Sequence, residues 1–395
     1  MNMLNTVEIK NILLKGYISG THRLIAPEST LARIKPYLSK IGVTRCADVT
    51  GLDRIGIPVY CAIRPHGCII QIANGKGLRH VDAKVSALME ALEIFHAENP
   101  TSELERDSFR SIQQTGDSVV QPEILPFYET DKFFSGDFIV DWERAENLLS
   151  GEKVWLPASS VYLCSPMLYP FSSNGLASGN HLVEATLHGL YEVIERDAIS
   201  SLITNGRMNL TQKYCKFINL ETVDDKPVAK LYNMLLKAGI KLVLIWVKSS
   251  IPINTFWAVL LDKNPFSSSS MVNMGYGSHL SASIAATRAI TEAAQSRLTF
   301  IHGSREDLAN KNSYQSEDVP SKVYAYFDQI ESSTNWQILS DMSGNDLIQD
   351  YIQILESLSL AGHNNIFRVN LTRPPFNIPV AKVFVPSLKM NHSLF

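Results

Sequence analysis

Apolar residues recur along this chain with two periods, near 3.6 and near 2, so helices and strands are mixed throughout. A helical run covers 27–42, opened by Pro27-Glu28-Ser29-Thr30 and stopped by Gly42. Two β-rich runs, 56–63 and 68–73, flank Pro65-His66-Gly67 and predict a hairpin. Further helices are expected over 81–97, 181–205, 226–238, 278–301 and 347–360, and strands over 155–163, 240–247, 255–261, 365–371 and 379–385. The stretches 99–151 and 303–322 are polar and rich in turn residues, so they read as an irregular excursion and a loop. This mixture predicts an α/β or α+β fold with antiparallel pairing and mixed sheets.

Inside the helices a polar motif repeats. Leu88-Met89-Glu90-Ala91-Leu92-Glu93 is followed by Leu190-Tyr191-Glu192-Val193-Ile194-Glu195 and then by Ile290-Thr291-Glu292-Ala293-Ala294-Gln295, with the middle glutamates 102 and 100 residues apart. Before each copy stands a glycine pair that reads as a turn: Gly75 and Gly77, Gly175 and Gly179, Gly275 and Gly277.

At ~100° per residue, Asn180, Glu184, His188, Glu192 and Glu195 share an arc of about 120°. Leu182, Val183, Leu187, Leu190, Val193 and Ile194 point the other way. Ser86, Glu90 and Glu93 align in the first helix, and Arg288, Glu292 and Gln295 in the third. A solvated face would intersperse Lys or Arg one turn from each acid. The middle stripe has none, Arg196 lying just beside it, so its like charges call for a cation. Carboxylates are hard oxygen donors suited to Mg²⁺, whereas zinc would ask for His and Cys. His188 reads as a structural histidine.

Composition narrows the choice. The chain has 395 residues and a net charge of −3, which excludes a broad nucleic-acid-binding field. Five scattered cysteines, Cys46, Cys61, Cys68, Cys164 and Cys215, form no CxxC pair and fit a reducing cytoplasm. No run approaches the ~20 apolar residues of a membrane span. Gly75-Lys76-Gly77 lacks the spacing of a Walker A loop, so any nucleotide is held by another route.

The run from Gly175 to Ala198, ending Glu192-Val193-Ile194-Glu195-Arg196-Asp197-Ala198, resembles the signature of the YcaO family. Thr21-His22-Arg23, Pro27-Glu28-Ser29-Thr30, Gly42-Val43-Thr44-Arg45, the stretch from Asp48 to Asp53, Asn74-Gly75-Lys76-Gly77 and the stretch from Arg288 to Arg297 are similar to family segments as well. The resemblance spans 20–386 and implies a single YcaO domain over 21–395 behind an extension at 1–20. It also implies ATP- and Mg²⁺-dependent activation of a peptide amide.

By that resemblance Glu90, Glu93, Glu184, Glu192 and Glu195, with Asn180, hold Mg²⁺ against the triphosphate. Arg23, Arg196 and Arg288 contact phosphates, and Thr30, Arg33 and Lys76 lie near the nucleotide. Thr30 stands where some members have serine, and Ala177 rather than Ser178 falls seven residues before Glu184.

The resemblance leaves several products open. The chain ends without the proline-rich tail of many azoline-forming members, and the stretch from Ala47 to Pro58 looks more like members paired with a TfuA-type protein. Thioamide formation in a peptide or protein substrate is therefore expected. Azoline formation by cyclodehydration and a non-catalytic scaffold or leader-binding role are the alternatives. A TfuA-like or E1-like partner and a homodimer are implied, with no nucleic acid and no membrane.

Overall fold

The computed structural model describes residues 12–100, 103–125, 135–165, 167–169, 171–204, 207–265, 267, 270–303 and 318–391. Its first elements are α1 (Pro27–Ile34), β1 (Arg45–Asp48), β2 (Val59–Ile63), β3 (Ile72–Lys76), α2 (His80–Glu98), β4 (Glu105–Ser108), α3 (Phe109–Gln114), β5 (Ile139–Asn147) and β6 (Lys153–Pro157). Next come β7 (Leu176–Ser178), α4 (Leu182–Ser200), β8 (Ile203–Thr204), β9 (Arg207–Met208), β10 (Cys215–Asn219), α5 (Lys226–Lys237), β11 (Ile240–Val247), β12 (Asn254–Asp262) and β13 (Val272–His279). The chain finishes with α6 (Ala282–His302), α7 (Asp318–Asp328), β14 (Thr334–Asn335), α8 (Leu347–Leu360), β15 (Phe367–Asn370) and β16 (Val380–Phe384). This is the expected mixed α/β architecture. Among the described residues no helix is long and apolar enough to cross a membrane.

The chain divides into two compact units, each assembled from separated stretches. One comprises 15–91, 194–344 and the terminal residues from 391. Its larger sheet has the strand order β13-β12-β11-β10-β14, antiparallel except where β10 meets β14. All nine residues of β12 are buried, because helices cover both faces of the sheet. Phe256 and Leu244 pack with Leu231 and Leu235 of α5 and Ala285 and Ala289 of α6. On the other face Trp257 and Ile245 pack with Phe327 of α7. A buried Arg297 on α6 pairs with Asp53 and Asp262 at 2.9 and 3.0 Å, fastening that helix to the segment before β2 and to the end of β12.

The other unit contains 92–193 and 345–390 with the N-terminal stretch to Leu14. Its sheet runs β4-β5-β15-β16-β7, with β6 paired to β5. Leu13 belongs to it: its N–H donates to Asp346 and its carbonyl accepts from Leu347.

Several expectations are corrected. The helix over 27–42 stops at Ile34 and tightens to a 3-10 turn over Lys35–Tyr37, since Pro36 has no N–H to continue it. The strand over 155–163 is shorter and ends at Pro157. The stretch 99–151 is not irregular, because β4, α3 and β5 lie in it. In β5 the buried Val140 and Trp142 alternate with charged Asp141, Glu143 and Arg144, which hide a strand from a composition reading. The helix α7 begins inside the supposed loop 303–322, of which 304–317 lie outside the described residues.

The glycine pairs also change meaning. Asn74-Gly75-Lys76 and Gly275-Tyr276-Gly277 sit within β3 and β13. A Cβ on Gly75 would lie 2.0 Å from the Ala87 nitrogen and 2.3 Å from the Ala83 oxygen. On Gly277 it would lie 2.1 Å from the Ala285 oxygen and 2.7 Å from the Ala289 nitrogen. Glycine is there so that each strand can press on the backbone of the acidic helix after it.

Candidate functional site

Buried surface closes round nearly all of α4, leaving a narrow open line at His188, Glu192 and Arg196. The same line on α6 runs through Arg288 and Glu292, and on α2 through Ser86 and Glu90. These positions correspond between the copies. The expected acidic face is thus a stripe one residue wide, and two of its glutamates are buried beside it: Glu184 is 3% exposed and Glu195 is 2% exposed.

In the unit containing Glu93, that carboxylate accepts two hydrogen bonds from Ser178 on β7, from the backbone N–H at 2.7 Å and from the hydroxyl at 2.5 Å. Glu184 accepts from Asn180 twice, from its N–H at 3.2 Å and its side-chain amide at 3.1 Å. Lys382 on β16 is 2% exposed and donates to the Ser172 carbonyl. Burial pushes its ammonium down to about 8, with the Glu192 charge partly opposing. Arg368 on β15 bonds Glu146 at 3.0 Å and Thr186 of α4 at 3.4 Å.

In the unit containing Glu195, this carboxylate accepts from the Ser278 N–H of β13 at 3.0 Å and lies 4.0 Å from Arg196. Lys76 at the end of β3 donates to Glu292 at 2.6 Å, and the Tyr276 N–H meets the other oxygen at 3.2 Å. Burial raises the Glu292 carboxyl, but Lys76 beside it, with Arg196 and Arg288, outweighs this and holds it below the usual carboxylate range.

A second cluster precedes α6. Lys15 lies 2.9 Å from His22 and donates to the Gly344 carbonyl at 2.6 Å. The His22 and His279 rings meet edge to face with centroids 5.0 Å apart. His279 accepts the Ser281 N–H at 2.9 Å. Burial holds His279 well below the ordinary imidazole value, reinforced by His22, Arg288, Lys15 and Arg23.

The predicted residues separate on this map. Glu93, Asn180, Glu184 and Glu192 fall in one unit, and Arg23, Thr30, Arg33, Lys76, Glu90, Glu195, Arg196 and Arg288 in the other. Lys76, Arg196 and Arg288 are brought together round Glu292. Thr30 bonds the Ala26 carbonyl of its own helix, and Arg33 is exposed. Among the described residues, no three His, Cys, Asp or Glu side chains are already gathered as a metal site.

The donor chemistry still fits Mg²⁺. The stripe offers carboxylate oxygens, and Cys61 is engaged with Asn74 at 2.9 Å. Sequence reasoning missed Lys15, His22, His279, Ser278 and Lys382. Ser278 was legible as the counterpart of Ser178, and Lys382 as a lone charge in the apolar strand Val380–Phe384.

A family model described as YcaO cyclodehydratase, ATP- and Mg²⁺-binding, matches residues 74–389. An uncharacterized protein of Methanothermobacter thermautotrophicus is 34% identical over 378 residues, 93% of this chain and 94% of its own length. A protein of Rhizobium leguminosarum bv. trifolii, described as lying in the tfuA 3′ region, is 32% identical over 389 residues, covering 95% of this chain and 91% of its own. Among solved structures, YcaO from Methanopyrus kandleri bound with AMPPCP and Mg²⁺ superposes with a TM-score of 0.76 at 22% identity, over 96% of this chain and 95% of that one. A heterocyclase in complex with substrate and cofactor gives 0.78 at 21% identity, over 96% of this chain and 54% of that one.

Proposed function

This chain belongs to the YcaO family of ATP- and Mg²⁺-binding enzymes, and from that premise we propose that it activates a peptide backbone amide and converts it to a thioamide. The observation that carries the reading is the gathering of Lys76, Arg196 and Arg288 about Glu292 on the stripe of a repeated acidic helix. Such cations suit a polyphosphate, and the carboxylates suit the divalent ion that accompanies it.

In this proposal Glu90, Glu93, Glu184, Glu192 and Glu195, with Asn180, hold Mg²⁺, which neutralises the triphosphate and the charge that develops during transfer. Arg23, Arg196 and Arg288 bind phosphate oxygens, with Thr30, Arg33 and Lys76 supporting the nucleotide. ATP supplies its γ-phosphoryl group to the amide oxygen, leaving ADP. Sulfide adds to the activated carbon, and phosphate departs with the former amide oxygen, leaving C=S. The amide oxygen alone is a poor leaving group, which is why the phosphoryl group is needed.

Thioamide formation draws support from the relative in the tfuA 3′ region and from the stretch Ala47 to Pro58. A TfuA-like partner, a homodimer and a cytoplasmic setting belong to the same proposal. Azoline formation is the second reading, favoured by the family's description as cyclodehydratases.

The test incubates the protein with ATP, Mg²⁺, sulfide and a candidate peptide, with and without a TfuA-like protein, and weighs the peptide. Exchange of one oxygen for sulfur supports the thioamide. Loss of one water supports the azoline and overturns the thioamide. Wild-type protein that shows no affinity for ATP in calorimetry sinks both.

A further inference from the structure

Lys382 is a charge that the acidic stripe does not account for. It lies on β16 with 2% of its surface exposed, in a strand otherwise made of Val380, Ala381, Val383 and Phe384. Its ammonium donates to the Ser172 carbonyl. A carbonyl is neutral, so that bond satisfies a donor and leaves the charge in place. Burial works against such a charge, and Glu192 is the acid that offsets the burial.

The packing shows how a strand residue comes to bear on Glu192. Residues 172–176 form a closed turn, in which the Ser172 hydroxyl accepts the Asn174 N–H at 3.2 Å and the Ser173 carbonyl accepts the Leu176 N–H at 2.8 Å. Val383, next to Lys382, donates its N–H to the Gly175 carbonyl at 2.9 Å. Helix α4 rests on this junction. A Cβ on Gly189 would lie 2.7 Å from the Gly175 oxygen and 3.0 Å from a Val383 methyl, and one on Gly175 would lie 3.0 Å from a Val193 methyl. Gly189 and Val193 stand on either side of Glu192 along α4. Lys382 thus fastens the turn that supports this part of the helix, all within one compact unit. Glu192 stands on the open line of α4 while Lys382 is enclosed, so the ammonium acts on the carboxylate from the protein side and leaves the open side to a ligand.

Such a charge bears directly on metal binding. A bare divalent cation drawn to Glu192 meets a carboxylate that a fixed positive charge already balances, and the two cations repel. A divalent ion that carries a triphosphate is net negative, so the same ammonium attracts it. We infer that Lys382 is a positioning and specificity residue: it holds the turn beneath Glu192, and its charge makes the stripe favour a metal–polyphosphate complex over the bare metal ion. The specificity rests on Glu192 holding Mg²⁺, as proposed above.

The experiment titrates the full chain by calorimetry with Mg²⁺ alone and with Mg²⁺ in the presence of ATP, with folding monitored by circular dichroism. Lys382→Met removes the charge. Lys382→Gln removes it but keeps an N–H donor for the Ser172 carbonyl, and Lys382→Arg keeps both. The Met and Gln variants are expected to bind Mg²⁺ alone about tenfold tighter than wild type, with the Arg variant unchanged. Adding Glu192→Gln to either should abolish the gain. A merely structural lysine gives the opposite sign, because a loosened turn misplaces Glu192 and weakens the metal.

Mg²⁺ binding that is unchanged or weaker in both charge-free variants overturns the inference, and so does a gain that survives Glu192→Gln. If Mg²⁺ still binds with ATP in those cases, the metal reading stands without the inference. Glu192→Gln that alone binds Mg²⁺ as tightly as wild type, with ATP present, removes Glu192 as a metal ligand and the inference with it.

Discussion

Glu93 on the first acidic helix is bonded to Ser178, which precedes the second, through both the backbone N–H and the hydroxyl. The relation recurs one copy later, where Glu195 on the second helix accepts from Ser278, which precedes the third. Ser178 and Ser278 are 100 residues apart, and Lys76 holds the corresponding place in the first copy. Lys76 reaches the third helix at Glu292, the counterpart of Glu90 and Glu192, since Gln295 has replaced the last glutamate of that copy.

The two serines should respond differently to truncation. Ser178→Ala removes one of two bonds to Glu93 and should cost about 1 kcal/mol in urea unfolding. Ser278→Ala leaves the bond to Glu195 intact, because it comes from the backbone; only the hydroxyl contact with Thr255 is lost. Glu195→Ala should cost more, roughly 2 kcal/mol, by leaving the buried Ser278 N–H without that acceptor. Equal effects of Ser278→Ala and Glu195→Ala would contradict this assignment.

Gly277→Ala places a methyl group 2.1 Å from the Ala285 oxygen and 2.7 Å from the Ala289 nitrogen, both backbone atoms. The strand must then lift from α6, at a cost of about 3 kcal/mol or more, visible as a large fall in Tm or as insoluble protein. Gly51→Ala is the control: nothing lies within 4 Å of the new methyl, so its change should stay within ~0.5 kcal/mol.

The Lys76–Glu292 pair should show in acid. Glu292 is 21% exposed, and its carboxyl is held below the usual range. A depressed carboxyl contributes stability above its unfolded value and loses it as pH falls through the folded one. Lys76→Met should therefore lower Tm at neutral pH. The gap from wild type should close as pH falls below the ordinary carboxylate value and Glu292 protonates in both proteins. A gap independent of pH would argue for packing instead.

His96 gives a separate acid response. It is fully buried on α2, its Nδ1 donates to the Leu92 carbonyl, and its Nε2 has no hydrogen-bond partner among the described residues. Burial lowers it to about 4, opposed by the Leu92 bond and helped by Arg373. The unfolded chain takes up the proton first, so stability is full above the ordinary value of 6.5 and falls as pH drops toward 4. The loss is on the order of 3 kcal/mol by pH 4. His96→Phe should flatten that limb of the stability–pH curve; an unchanged limb would refute the assignment.

Much of the architecture is legible in periodicity, because α5, β11, β12 and α8 each repeat apolar residues at one clear spacing. β5 and β13 are hidden for physical reasons. In β5 Asp141, Glu143, Arg144 and Glu146 break the apolar run, and β13 carries Asn273, Gly275 and Gly277, whose local preference is for turns. Close packing on α6 overrides that preference. At the candidate site the polar lines through Glu192 on α4 and through Glu292 on α6 could each be read from helical spacing, which set Arg196 just beside the first. Ser278 and Lys382 could be singled out by position, but their roles, like that of Ser178, could not be read, because those depend on contacts between residues far apart in the chain. For His22 and Lys15 the sequence offers only proximity to Arg23.

The bonds handed from each copy to the next have a consequence for how the repeat could be edited. They join residues 85 and 83 positions apart, and 216 apart for Lys76 and Glu292. Excising the middle copy would strip Glu93 of both Ser178 bonds and the Ser278 N–H of its Glu195 acceptor in one cut. A transplanted copy would likewise arrive with these bonds addressed to neighbours it had left behind. The motif is thus a unit of sequence but not a module. Recombination or design at this locus would have to move a carboxylate together with the strand that follows it, rather than the glycine-and-helix segment the eye picks out.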